Sequence, residues 1–188
     1  MPRTETIVRT LFKFDELSKE AQEKVIENNW DWNVSHDWWD STYEDAARIG
    51  LEITGFDLGR RQSIDGKLTE DLLDCCKLIR KNHGKDCDTF KTADIFLTDY
   101  IEAFKNWLAA KDREDMESWE LAYTPKDWLF DFRSEDEAVE VEHNFCKALL
   151  EDYHSILERE YDYQTSREAI VESIQCNEME FSGSGSPA

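Results

Sequence analysis

Basic residues are scarce in this chain. Over 188 residues, 22 Lys and Arg face 43 Asp and Glu, a formal charge of −21 with the four histidines neutral. That balance excludes the basic stripe by which proteins grip a nucleic-acid backbone, and it excludes attraction to an anionic membrane. Long apolar runs are absent as well. No stretch approaches the roughly 18 to 20 residues that span a bilayer, and the opening MPRTETIVRT has no apolar signal core, so an intracellular chain is expected. Cysteine is sparse and odd in number, five including the adjacent Cys75 and Cys76, which is no secreted disulfide framework and reads as reduced thiols. Neither a P-loop nor G-x-G-x-x-G nor G-x-S-x-G occurs. Aromatics are not lacking. The 7 Trp, 6 Tyr and 10 Phe fall mostly in periodic segments, which excludes a disordered polyanion.

The periodicities predict a mainly helical α+β fold, with five to seven helices and a small two- or three-stranded sheet near the N-terminus. ETIVRTLFKF alternates like a strand, with Val8, Phe12 and Phe14 on one side. Asp15 or Ser18 then caps a helix carrying Leu17, Ala21, Val25 and Ile26. A second helix is expected from an N-cap at Ser35 to Gly50, with Trp39, Tyr43 and Ala46 on its inner face. LEITGFDLG reads as a strand with an irregularity at Gly55, and RRQSIDGK as a turn. Further helices are expected from Thr69, from Thr92 and from Ser134, the last with an apolar stripe through Val141, Phe145, Leu149, Tyr153 and Ile156. Thr165 and Glu168 have the spacing of a capping box before one more helix, and Glu178–Phe181 of a short strand. The reading gives a single acidic domain over 1–181, made of a β-α-α-β lobe at about 1–62 and a helical lobe at about 63–181, followed by a flexible tail at 182–188. The stretch from Asp112 to Arg133 reads as a loop with a short helix.

Several residue groups have the right chemistry in the wrong spacing. Glu140-x-x-His143 and Glu151-x-x-His154 match the local pattern of di-iron bundles, whose pairs face one another from different helices. Here both fall on one predicted helix, eleven residues or about 16 Å apart along the axis, so they cannot share a metal cluster. His83 and Cys87, near Cys75 and Cys76, lack the paired-ligand spacing of zinc sites. A Cys87–His83 dyad requires an orienting group and a pocket that no local motif supplies. No metal, cofactor or catalytic residue is therefore assigned. Trp30, Trp32, Trp38 and Trp39 are interleaved with Asp31, Asp37 and Asp40, which suits core packing or a protein interface better than stacking on bases.

The charge is concentrated. From Asp112 to Phe181 there are 21 acidic and 6 basic residues. A helix bearing Glu135, Asp136, Glu137, Glu140, Glu151, Asp152, Glu158 and Asp162 sets carboxylates about 5 to 6 Å apart, near the scale of phosphate spacing in DNA. These eight are the candidate partner-binding residues.

The segments FDELSKEAQEKVIENN, WWDSTYEDAARIGLEITGFDL, NHGKDCDTFKTADIFL and LEREYDYQTSREAIVESIQCNEMEF resemble a family of small acidic, largely uncharacterised phage and prophage proteins, sometimes labelled antitoxin-like. Trp38-Trp39-Asp40 and Tyr43-Glu44-Asp45-Ala46 carry the resemblance most specifically. It implies an accessory protein acting in the cytoplasm of a bacterial host. The resulting expectation is a non-enzymatic, nucleic-acid-mimicking inhibitor. Its acidic surface is expected to bind a basic host protein such as a nuclease or defence complex, with no direct contact to nucleic acid or membrane. The alternatives are an antitoxin masking a basic toxin, a metal- or Cys-dependent enzyme, and a virion-associated structural protein; homo-oligomerisation stays open.

Overall fold

A computed structural model of the chain describes residues 9–110 and 135–187, with the side chains of 103–104, 106–110 and 135–138 outside the description. The fold is α+β and mainly helical. Among the described residues the elements are β1 (Phe12–Lys13), α1 (Lys19–Asn28), α2 (Asp40–Arg48), β2 (Leu51–Asp57), β3 (Ser63–Leu68), α3 (Leu72–Asn82), α4 (Asp88–Ala110), α5 (Glu135–Gln164), α6 (Arg167–Cys176) and β4 (Glu180–Phe181). None of these helices is long and apolar enough to cross a membrane. The chain condenses into two units that do not follow the lobes expected at about 1–62 and 63–181. One takes 1–38 with 158–188, the other 39–157.

The smaller unit joins the two ends of the chain. β1 pairs antiparallel with β4, Phe12 opposite Phe181, so the first strand does not join β2 in a β-α-α-β sheet. Only Phe12 and Lys13 of the expected strand are extended, because Phe14–Glu16 turns into a 3-10 helix; residues 1–8 lie outside the described residues. Ser18 caps α1 by accepting from the Ala21 N–H at 3.3 Å. The cap of α6 is Ser166, which accepts from Ala169 N–H at 3.2 Å, and not Thr165, whose hydroxyl donates back to Tyr161 O at 2.8 Å. The core here is Phe14, Leu17, Ala21, Val25, Ile170, Ile174 and Phe181. Arg167 of α6 donates to Glu23 of α1 at 2.6 Å. Residues 182–187, the stretch expected as a flexible tail, close a turn: Ser182 N–H donates to Ser186 O at 2.8 Å, and Pro187 bridges to Phe181.

In the larger unit α2 starts at Asp40 rather than near Ser35. Ser35 is occupied elsewhere, its hydroxyl donating to Trp32 O at 2.8 Å behind the 3-10 turn Trp32–Val34. Trp39 thus sits at the N-cap, half-buried, with its ring edge-on to Phe56 at 5.6 Å, and is not the buried core residue its helical register suggested. Gly50 ends this helix at φ +81°, and a Cβ there would lie 2.9 Å from Cys75 Sγ, so the position demands glycine twice over.

β2 and β3 form an antiparallel hairpin with a register shift between Ile53 and Gly55, the irregularity expected at that glycine. β3 was missed, because SIDGKL offers little β-propensity and is extended by its pairing with β2. The cap of α3 is Asp71, accepting from Asp74 N–H at 3.0 Å; Thr69 instead donates its N–H to Gly50 O. α4 begins at Asp88, four residues ahead of Thr92. The expected loop at Asp112–Arg133 lies outside the described residues. α5 buries Phe145, Leu149, Tyr153 and Leu157 at i, i+4 spacing, the first three with Ile49, Leu51, Cys75, Cys76 and Ile79 in this unit's core. Each large apolar side chain so buried contributes about 1.5 to 3 kcal/mol over its exposed state.

Candidate functional site

α5 offers two polar environments, because a helix that buries one stripe must present the opposite one to water. In the larger unit, Glu140 and Glu151 are eleven residues apart, about three turns, and both are exposed. Among the described residues Glu151 has a loose pairing with Lys147 at 3.8 Å. Glu158 and Asp162, in the smaller unit, are exposed at i, i+4 spacing. Glu135, Asp136 and Glu137 occupy the first turn of α5, with side chains outside the described residues. Asp152 is placed differently from the rest. It is half-buried, accepts the Thr92 hydroxyl at 2.7 Å, and desolvation pushes its carboxyl pKa up against the lowering effect of that bond.

On the inner side is a polar network with no local signature. His83 ends α3 with its ring almost wholly enclosed, its side chain 8% exposed. Its Nδ1 is 2.7 Å from Thr89 Oγ1, and its Nε2 lies 3.3 Å from Asp45 Oδ2, a contact without hydrogen-bond alignment. The same Asp45 oxygen accepts the Tyr153 hydroxyl at 2.9 Å. Burial, with Asp45 beside it, drives the Tyr153 pKa far up, so this phenol stays a donor. The sequence flagged His83 for zinc or a dyad; Asp45, Thr89 and Tyr153 went unremarked in any polar role, since Tyr153 is 108 residues from Asp45.

Hydroxyl, imidazole and carboxylate here follow the order of a nucleophile–base–acid triad. Thr89, however, is 2% exposed, which leaves no room for a substrate carbonyl at its Oγ1. The network is suited to pinning α2, α4 and α5 around the end of α3. Cys87 is exposed, and both ring nitrogens of His83 face other groups. Burial raises the Cys75 and Cys76 thiols to about 12, so neither supplies a thiolate near neutral pH. None of the five cysteines is bonded to another. Among the described residues no three His, Cys, Asp or Glu side chains converge as a metal site.

The histidines of the two Glu-x-x-His pairs share a surface, from which Glu140 is absent. His143 and His154 both line a groove of about 630 Å³ that runs between β3 and α5 within the larger unit, with Lys147 and Glu151 on the same wall. Its other wall is the consecutive run 62–66. No helical or strand pattern announces this groove, since its β3 wall reads as a turn in the sequence.

Of the tryptophans, Trp30 is 54% exposed, Trp38 packs on Tyr161 at 5.8 Å between ring centroids, and Trp39 packs on Phe56. Compared with protein families, curated proteins and solved structures, the chain gives no match.

Proposed function

We propose that this chain is a non-enzymatic binding protein whose acidic surface engages a basic site on a nucleic-acid-handling or defence protein of a bacterial host. The observation that supports it most is the exposure of Glu140, Glu151, Glu158 and Asp162 on α5 in a chain of net charge −21. A compact state that keeps its carboxylates exposed bears their mutual repulsion, and a basic partner relieves it. The same field speeds association with that partner and selects against polyanions. The phage resemblance belongs to this proposal and supplies its setting, the bacterial cytoplasm. Asp152 is left out of the contact surface, since Thr92 and its half-burial already occupy it.

The test is a capture experiment with host proteins, followed by affinity measurements on the purified partner at two salt concentrations. Replacing Glu140, Glu151, Glu158 and Asp162 together by Lys is expected to abolish a salt-sensitive complex while leaving the fold intact, because each surface change costs within about 0.5 kcal/mol. Undiminished binding by that variant, with a flat salt response, refutes the proposal.

A further inference from the structure

We infer that the groove between β3 and α5 takes an extended segment of the basic partner, which adds as a third strand to the open edge of β3. Among the described residues the only strand paired with β3 is β2, and of its outer edge the Leu68 backbone is already taken by the Cys146 thiol of α5, which leaves the stretch from Ser63 to Gly66 for a chain. An unpaired strand edge is a row of donors and acceptors awaiting a chain.

Which amides of β3 point away from β2 follows from one bond. Thr69 N–H donates to Gly50 O at 2.8 Å, so alternation along β3 turns the N–H groups of Gly66 and Ile64 away from β2. The extra residue of the irregularity sits on β2, so the alternation of β3 is undisturbed. Gly66 also lets α5 approach closely: a Cβ there would lie 2.8 Å from Leu150 Cδ2.

The dimensions agree. The α5 wall runs from His143 to His154, eleven residues or about 16 Å, and five residues of extended chain cover about the same length. The groove volume, about 630 Å³, lies within the roughly 300 to 1,000 Å³ of ligand-holding clefts.

Charge selects the occupant. Asp65 on one wall and Glu151 on the other are exposed, and among the described residues Glu151 has a loose ion pair with Lys147, whose side chain is 67% exposed. An added strand with Lys or Arg at alternate positions meets these carboxylates and the field of the whole chain. A second copy of this chain brings −21 against −21 and is disfavoured. The basic character of the segment rests on the function proposed above; the open edge does not.

The experiment follows backbone amide exchange in the full chain upon addition of a short synthetic peptide of alternating valine and lysine. Slowing of Ile64 and Gly66 by about tenfold or more is expected. The protection should vanish when alternate amides of the peptide are N-methylated, and should weaken in an Asp65→Lys, Glu151→Lys variant whose melting is unchanged. Peptide binding that leaves those two amides unprotected overturns the inference while the acidic-surface function stands. Equal protection by a valine–glutamate peptide overturns the assigned charge, and protection that grows with protein concentration in the absence of peptide assigns the edge to a second copy and overturns it as well. Failure of the function proposal shows separately, in the quadruple Lys variant.

Discussion

Glu151 and Asp152 are neighbours in sequence with the same functional group, and they belong to opposite regions of α5. The first is exposed beside the groove and loosely paired with Lys147; the second is half-buried and held by Thr92, one residue from Tyr153 at the core. Charge by itself does not identify a binding residue. A carboxylate already desolvated and hydrogen-bonded inside the fold has little left to offer a partner, whereas one in water keeps its full field for an incoming cation.

The contrast is broken most severely at Tyr153. Truncation to Ala removes a fully buried ring and the donor to Asp45, and is expected to cost about 3 to 5 kcal/mol. Tyr153→Phe, which keeps the ring, should cost about 1 kcal/mol. Urea denaturation of both variants separates packing from the hydrogen bond, and equal losses would show that the network carries the stability. Next comes Trp39→Ala, expected at about 2 to 3 kcal/mol, less than a buried tryptophan because the ring is half-exposed against Phe56. A loss of 5 kcal/mol would return Trp39 to the core.

Asp152→Asn sharpens the comparison through pH. Asp152 has a raised folded pKa, so its ionisation opposes folding: the stability it contributes is present below its unfolded value and is lost as pH rises through the folded one. The Asn variant keeps an acceptor for Thr92 and should be slightly more stable than the parent at pH 7, with the advantage disappearing below about pH 4. Glu23, lowered by its bond to Arg167, has the opposite sign and loses its contribution as pH falls through its folded value. Thermal melts from pH 3 to 7, in steps of about one unit, distinguish the two. The smallest effect is chemical: a thiol reagent at about pH 8 should label Cys87 and Cys176 in the folded chain, and Cys75 and Cys76 only on unfolding. Rapid labelling of the buried pair would mean that α3 opens locally.

The sequence by itself determined the helical majority, the strand at Leu51–Asp57 with its irregularity at Gly55, and the α5 stripe through Phe145, Leu149 and Tyr153, because 3.6-residue and two-residue periodicities are properties of consecutive side chains. It also located the acidic concentration. Caps were legible only to within a few residues, since Ser35, Thr69 and Thr165 had competing uses that depend on where the neighbouring turn lies. Tertiary structure alone decided that Phe12 meets Phe181, that Asp45, His83 and Tyr153 share one network, and that β3 exists and faces His143 and His154 across a groove. These pairings join residues far apart in the chain, and a group's hydration and hydrogen bonds are set by what folds against it, which no local period encodes.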